Sequence, residues 1–154
     1  MAIKGGPYIQ VACFCDTVIE DKTGSLSLIR VIDNLTHVVR GPSPPEDMPP
    51  VTHHMKLVVM LKSGSARGRH DLEVVPEVPT GGTKQSLRAT VHFEGEERGA
   101  NVVVDLYFTF EYEGLYWFRV YLDGEELTRI PFRMKYNRMV VDSTGGLTAP
   151  PSPE

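Results

Sequence analysis

Residues 101–112 read NVVVDLYFTFEY, and an apolar side chain recurs at every second position. The residues that share this face are Val102, Val104, Leu106, Phe108, Phe110 and Tyr112. A period of two, sustained over the whole stretch, is typical of a β-strand with one face in a core. The stretch therefore predicts a long, half-buried strand.

The residues that follow predict a hairpin. Residues 115–122 alternate in the same way, with Tyr116 and Phe118 directed toward the core, and Asp123-Gly124 then supplies a pair suited to a tight turn. Residues 127–136 return as the partner strand. Because Pro131 has no backbone N–H, we expect this point of the strand at a sheet edge or a bulge.

The rest of the chain repeats the pattern less regularly. Further strands are predicted at residues 8–20, 25–33, 51–62 and 87–93 and around Leu72 and Val74, with turns rich in Gly, Ser, Thr or charge between them. The total is about eight strands, and no stretch has the spacing of an amphipathic helix. We therefore expect an all-β fold: a single antiparallel β-sandwich over residues 8–136, immunoglobulin-like or C2-like.

Proline-rich sequence marks the boundaries of this domain. Residues 41–50 hold five prolines, which favours a long extended connection between sheets. Residues 1–7 form a short N-terminal segment before the first strand. Residues 137–154 form a Pro/Gly-rich tail that has too few apolar residues to offset the entropy of folding, so we expect disorder there.

Composition excludes several classes of partner. The chain has 154 residues, enough for one self-sufficient core, with 16 Lys+Arg against 20 Asp+Glu and a formal charge of −4. An acidic chain lacks the basic field that nucleic-acid binding requires. The sequence also has no apolar run of about 18 residues and no secretory signal at its start. We therefore expect a cytoplasmic protein with neither nucleic acid nor membrane as a partner.

Cys13 and Cys15 lie two residues apart in a predicted strand. Their Cα atoms would be roughly 6.5 to 7 Å apart, at or beyond the limit for an unstrained disulfide, so we expect free thiols. They share a face with Ile9 and Val11, and we expect them buried in the core as small hydrophobic residues. A metal or redox site is the alternative, but the second cysteine pair that would support it is missing.

Three passages carry a resemblance to a known family. They are CDTV at 15–18 with GSLSLIRVID at 24–33, KLVVML at 56–61, and GLYWFRVYLDGE at 114–125 running into IPF at 130–132. Together they resemble a family of small uncharacterised bacterial all-β proteins with a C-terminal Gly-x-Tyr-x-Phe strand and an Asp-Gly turn. The resemblance covers residues 8–135 and implies the same fold but no activity. The proline-rich loop and Trp117 depart from the family pattern.

Tyr116 has a physical interpretation of its own. The pattern Gly114-x-Tyr116-x-Phe118 is similar to a strand entry of immunoglobulin-like domains, where the tyrosine hydroxyl bonds back to the backbone at a corner between sheets. We predict such a tyrosine corner at Tyr116. The alternative is an ordinary half-buried strand aromatic.

Catalytic and metal-binding patterns are absent from the sequence. The histidines, on four segments without metal-ligand spacing, are His37, His53, His54, His70 and His92. There is no Gly-x-Ser-x-Gly elbow, and the acidic residues occur as adjacent pairs rather than at the D-x-D spacing of calcium loops. We therefore predict that the protein is not an enzyme and has no metal or cofactor.

The outer face of the last strands is less polar than expected. Trp117, Arg119 and Tyr121 point away from the core, and Tyr107 does so on the preceding strand. Large aromatics with arginine are typical of interface hot spots, which predicts a protein-interaction or assembly module with a second copy or another protein as partner. Two alternatives stay open: an aromatic platform for a small ligand such as a sugar, and cover of this face by the proline-rich loop or the N-terminal segment.

Overall fold

The computed structural model describes residues 5–142, except for the side chains of Glu96 and Glu97. This part of the chain contains strands and no helix, which confirms the all-β prediction. The nine strands are β1 (Tyr8–Glu20), β2 (Leu26–Ile32), β3 (Asn34–Gly41), β4 (Val51–Gly64), β5 (Gly68–Glu77), β6 (Leu87–Phe93), β7 (Glu96–Phe110), β8 (Gly114–Leu122) and β9 (Glu125–Val140).

The strands form two sheets around a shared core. Sheet A has the order β2-β1-β4-β7, and sheet B has the order β3-β9-β8-β5-β6 and curls into a half-barrel. The pairing is antiparallel except between β3 and β9, which run parallel. The expectation of a purely antiparallel fold is therefore wrong at this one pair.

The parallel pair also accounts for the ninth strand. Sequence analysis did not identify β3 because its apolar residues alternate only weakly in sequence: Val38 and Val39 are adjacent, and His37 takes a partly buried position. β9 runs to Val140 and pairs with β3 as far as Gly41, so the first residues of the predicted tail belong to a strand. The remaining tail from residue 143 and residues 1–4 lie outside the described residues.

Pro131 lies where β9 has a neighbour on one side. It stands opposite Trp117 of β8, whereas the pairing of β9 with β3 begins only at Arg133. A residue without an N–H is tolerated at such a position because no donor is required there. The expectation of a local edge at Pro131 is confirmed.

Aromatic side chains from both sheets fill the core. Phe14 of sheet A contacts Phe118 and Phe132 of sheet B edge-on, at centroid distances of 4.6 and 5.5 Å. The largest fully buried side chains are Tyr116, Phe14, Phe93, Phe110, Phe118, Phe132, Met55, Leu57 and Leu61. Edge-to-face pairs of this kind add to the stability that burial provides.

The proline-rich loop crosses from β3 in sheet B to β4 in sheet A, as predicted. Met48 anchors it in the core, where 6% of the residue is exposed. The Tyr136 hydroxyl donates to the Pro45 carbonyl at 2.6 Å, and Arg138 donates to the Pro44 carbonyl at 2.8 Å. These contacts hold the loop over one end of the core, beside the C-terminal part of β9.

The predicted turn and the predicted tyrosine corner are both present. Asp123 and Gly124 have φ angles of 49° and 82°, as a type I′ turn requires, and they join β8 to β9. The Tyr116 hydroxyl donates to the Tyr112 carbonyl at 2.7 Å and accepts from the Tyr112 N–H at 3.0 Å. Tyr116 therefore fixes the segment in which the chain passes from sheet A to sheet B.

The predicted orientation of the cysteines is wrong. The register between β1 and β4 shifts between Ile9 and Val11, so that Ile9 and Phe14 face the core and Cys13 and Cys15 face away from it. A bulge inserts one residue and exchanges the two faces of everything that follows. Both thiols are free, as predicted, and Cys15 is completely buried although it lies on the outer face.

Candidate interaction surface

The residues predicted to form one interaction face lie on two. Trp117, Arg119 and Tyr121 are on the outer face of β8 in sheet B, whereas Tyr107 is on the outer face of β7 in sheet A. The prediction assumed that successive strands are neighbours, but β7 pairs with β4, and the chain then crosses to the other sheet. These four residues therefore do not form a single surface.

The outer face of sheet B is held by ion pairs. Arg119 lies 3.0 Å from a Glu77 carboxylate oxygen and 3.9 Å from one of Glu126, which also pairs with Arg129 at 2.7 Å. The hydrogen bond with Tyr121 and the charge of Glu77 raise the pKa of Arg119. Trp117, Arg119 and Tyr121 are all half-buried, so part of their apolar surface is covered and part is open.

The outer face of sheet A carries most of the exposed large hydrophobic residues. Among the described residues there are eight such side chains, and six of them lie on this face. The six are Tyr8, Ile19, Ile29, Val31, Val103 and Tyr107. The most exposed are Tyr107, at 68%, and Val31, at 58%. A concentration of exposed large apolar side chains on one sheet face makes that face a candidate interaction surface.

Buried apolar residues connect these exposed ones across the sheet. Val103 of β7 stands opposite Val58 of β4, which stands opposite Cys13 of β1. One row further along, Cys15 stands opposite Val31 of β2. Val58 and Cys15 have no exposed surface, and burial raises the pKa of both cysteine thiols. The apolar row therefore runs from β7 through β4 to β1, whereas in the next row Cys15 stands opposite Lys56, which stands opposite Asp105.

Three polar groups on this face, those of Asp105, His54 and Lys56, are paired within the chain. Asp105 accepts a hydrogen bond from the His54 ring and lies 3.0 Å from the Lys56 ammonium. Hydrogen bonds from His54 and then Lys56 lower the pKa of Asp105. The Tyr107 ring stacks on His54 with a centroid distance of 4.3 Å. A partner that covers these groups would leave no unpaired carboxylate.

Sequence reasoning missed Ile29 and Val31 because it assigned the wrong face to the first strand and no face to the second. The alternation in β1 is regular on either side of the bulge, and the single available signal is that Gln10 interrupts an otherwise apolar run. A one-residue shift changes which face is buried, and periodicity alone does not locate it.

A depression of about 720 Å³ lies along β5, β6 and the turn after β8. Two of its carboxylates have partners: Asp123 accepts from the Asp71 N–H at 2.9 Å and pairs with His70, and Glu73 pairs with Arg88 at 3.1 Å. Across residues 5–142 no group of three or more acidic, histidine or cysteine side chains is arranged to hold a metal ion.

Between residues 5 and 142 the chain forms no helix of the length and apolar character needed to cross a membrane.

The comparisons with known proteins give a family but no activity. A model described as "Family of unknown function (DUF6941)" matches residues 10–135. No curated protein matches the chain. A solved structure of the Pseudomonas fluorescens alkylpurine DNA glycosylase AlkC, bound to DNA containing an abasic site analog, is similar with a TM-score of 0.39 and 13% identity. The match covers 64% of this chain and 27% of that one.

Proposed function

The chain belongs to DUF6941, a family of unknown function, and we propose that it is a non-catalytic protein-interaction or assembly module that binds through the outer face of sheet A. One observation carries the proposal: six of the eight exposed large hydrophobic side chains among the described residues lie on this face. A soluble sheet face exposed to water is normally polar. Covering these side chains would remove apolar surface from water at about 25 cal/mol per Å².

The electrostatics of the face support this proposal. Charged residues are depleted in the buried centre of protein interfaces because an unpaired charge is costly to desolvate. Here Asp105 has two cationic or hydrogen-bonding partners, His54 and Lys56, within the same sheet. The apolar row of Val103, Val58 and Cys13 runs beside this group. The face therefore combines an apolar row with a carboxylate that needs no partner from outside.

The proposal extends to the fold class of the domain and to the cellular location of the protein. We infer an immunoglobulin-like or C2-like sandwich because the Tyr116 hydroxyl bonds back to Tyr112, as in the tyrosine corner of immunoglobulin-like domains. We infer a cytoplasmic location because Cys13 and Cys15 are both free, which suits a reducing compartment. In such domains the outer sheet faces are available for partners.

The experiment places a photo-crosslinking phenylalanine analogue at Val31 in the cells that express the protein natively. Position 31 is 58% exposed at the edge of the sheet A face, so we expect discrete crosslinked adducts after irradiation. Ile29→Glu in the same chain is expected to abolish them because a carboxylate beside position 31 resists burial.

The matched control carries the same analogue at Arg133, an exposed residue of β9 in sheet B. Adducts specific to position 31 support the proposal. Equal adducts at both positions, none at either, or adducts that persist with Ile29→Glu would contradict it.

A small-ligand module is the second candidate, favoured by Trp117 and Tyr121 lying with Arg119 on one face of β8. Aromatic rings beside a cationic donor are suited to stacking on a sugar ring. Trp117 is the sole tryptophan, so its fluorescence reports ligand binding directly. A shift or quenching of this fluorescence with a panel of mono- and oligosaccharides supports this candidate. An unchanged spectrum across the panel would exclude carbohydrates as the ligand.

A further inference from the structure

β7 is an edge strand with the sequence of a central strand. It pairs with β4 on one side and ends sheet A on the other. Residues 100–108 read ANVVVDLYF, with Asp105 as the single charged residue and no proline. A nearly continuous apolar run is typical of a strand covered on both sides, whereas edge strands are usually blunted by charge, proline or a bulge.

The opposite edge of sheet A is blunted in this way. In β2, Arg30 has a left-handed φ of 58°, and its exposed side chain pairs with Asp16. A residue in that conformation disrupts the regular spacing that a further strand would need. Of the two edges of sheet A, β7 is therefore the one suited to pairing.

The core is open to solvent along the free side of β7. β6, at the end of sheet B, lies beside β7 but is not paired with it. Inward-facing Leu87 and Ala89 of β6 and Val102 and Val104 of β7 are half-buried, although they belong to the core face. A cavity of about 70 Å³, lined by these side chains, opens here. A strand added to β7 would cover this opening.

The length of free edge on β7 determines where the centre of a strand pair would lie. The Lys84 ammonium donates to the Thr109 carbonyl at 3.0 Å, which closes the edge beyond Phe108. At the other end the pairing of β7 with β4 becomes irregular beyond Gly99, where the register shifts before Glu96. The nine residues from Ala100 to Phe108 remain, about 31 Å of strand at about 3.4 Å per residue, with Val104 at the midpoint.

We propose that a second copy of this chain pairs with this edge, β7 against β7 antiparallel around a two-fold axis at Val104. The two four-stranded sheets then form one continuous sheet. Val104 lies opposite its own counterpart, and Val103 lies opposite Asp105 of the second copy. This inference goes beyond the proposed function, because strand pairing uses the backbone edge of β7, whereas the proposed function concerns the side chains on the outer face of sheet A.

Physical constraints limit the registers available, and the midpoint of the free edge selects Val104 among them. Opposite residues of an antiparallel pair share a face, so an inward residue must pair with an inward one, and only shifts by two positions are allowed. Moving the axis to Asp105 would set that carboxylate against itself, which is destabilising. With the axis at Val104 the carboxylate meets Val103, and it retains its own pairing with Lys56.

The area available is sufficient for a specific dimer. The side of the molecule along β7 is about 31 Å long. It is about 20 Å thick, because the two sheets pack about 10 Å apart and their outer side chains add to that distance. The product is about 600 Å² per copy. The total of about 1,200 Å² exceeds the roughly 1,000 Å² expected of a biological interface.

The first experiment measures the solution mass of the full chain by light scattering from about 1 to 200 μM, a range that brackets micromolar affinity. We expect a monomer–dimer equilibrium, together with slower amide hydrogen exchange in residues 100–108 as concentration rises. A monomer at every concentration, or a dimer in which these amides exchange as fast as in the monomer, overturns the proposal.

The second experiment uses two opposite charges at one site. Val103 is 42% exposed, so both Val103→Glu and Val103→Lys are expected to fold, which a circular dichroism spectrum checks. The two-fold axis repeats the contact with Asp105 of the second copy, so we expect about tenfold weaker dimerisation for the glutamate than for the lysine variant. Equal effects of the two charges overturn the strand pairing.

Ile29→Glu, on the same face at the far side of sheet A, is the matched control and should leave the dimer intact. If this variant alone abolishes the dimer, the strand pairing is wrong while the sheet A face remains the interaction surface. If the chain is monomeric but position 31 still gives specific crosslinks, the inference fails and the proposed function stands.

Discussion

The Tyr116 hydroxyl stabilises the crossing between the two sheets at the scale of a single residue. It makes two hydrogen bonds to the backbone of Tyr112, at 2.7 and 3.0 Å, from a side chain with no exposed surface. Tyr116→Phe leaves these backbone groups without their partner, and we expect the free energy of unfolding to fall by about 1–2 kcal/mol. Urea denaturation followed by far-ultraviolet circular dichroism measures the change.

The control is Tyr112→Phe, which removes a hydroxyl from a ring that is 46% exposed. Surface changes of this kind are usually within about 0.5 kcal/mol of zero. Equal losses in the two variants would show that the corner hydrogen bonds contribute nothing specific.

The turn between β8 and β9 depends on glycine at the scale of an element. Gly124 has a φ of 82°, and the space around its Cα is open, so a methyl group meets no atom but the backbone conformation is strained. A left-handed alanine costs about 1 kcal/mol relative to glycine. We therefore expect Gly124→Ala to lower the free energy of unfolding by about that amount, measured in urea.

Gly82→Ala separates strain from loss of chain flexibility. Gly82 is not in the left-handed region, and an added methyl group would lie 3.7 Å from Val78, an ordinary contact. This variant is expected to be neutral or slightly stabilising because alanine restricts the unfolded chain. If both substitutions destabilise the protein equally, the turn geometry is not the cause.

At the scale of the whole molecule, His70 joins two turns that are distant in sequence. Its Nδ1 lies 2.5 Å from an Asp123 carboxylate oxygen in the β8–β9 turn, and its Nε2 lies 3.0 Å from the Arg67 carbonyl before β5. Both partners are acceptors, so the ring donates from both nitrogens only when it is protonated. The hydrogen bond to Asp123 is the main cause that raises the pKa of His70 above 6.5.

This arrangement gives stability a defined pH dependence. A raised histidine pKa contributes stability that is fully present below 6.5 and is lost as the pH rises through the folded-state pKa. The pKa of Asp123 is lowered by the Asp71 amide and by His70, so its contribution is present above 3.8 and is lost only in acid. We expect His70→Gln to destabilise the protein most near pH 5.5, where the imidazolium predominates.

The measurement is the free energy of unfolding of both proteins in urea at about pH 5.5, 7 and 8.5, which spans the histidine titration. The difference between them should shrink as the pH rises. His92→Gln, at an exposed histidine on β6, is the control for generic effects. A difference that is constant with pH would refute a protonated His70.

The sequence alone determined the all-β class, the long alternating strand at residues 101–112, the Asp123-Gly124 hairpin, the tyrosine corner and the free thiols. These features depend on local chemistry: period-two alternation, positive φ at a turn, and the reach of one side chain. β3 was missed because apolar and polar residues alternate only weakly in its sequence. Its stability comes from its parallel neighbour β9. The prediction that the proline-rich segment crosses between the sheets was correct because each proline restricts its own backbone.

Only the tertiary structure decided which faces meet solvent. The bulge after Ile9 turned Cys13 and Cys15 outward, and the pairing of β7 with β4 set Tyr107 apart from Trp117. Both outcomes follow from which strand lies beside which and in what register, and a one-residue shift in register exchanges core and surface for a whole strand. Periodicity specifies that a strand has two different faces, but neighbouring strands determine where each face points.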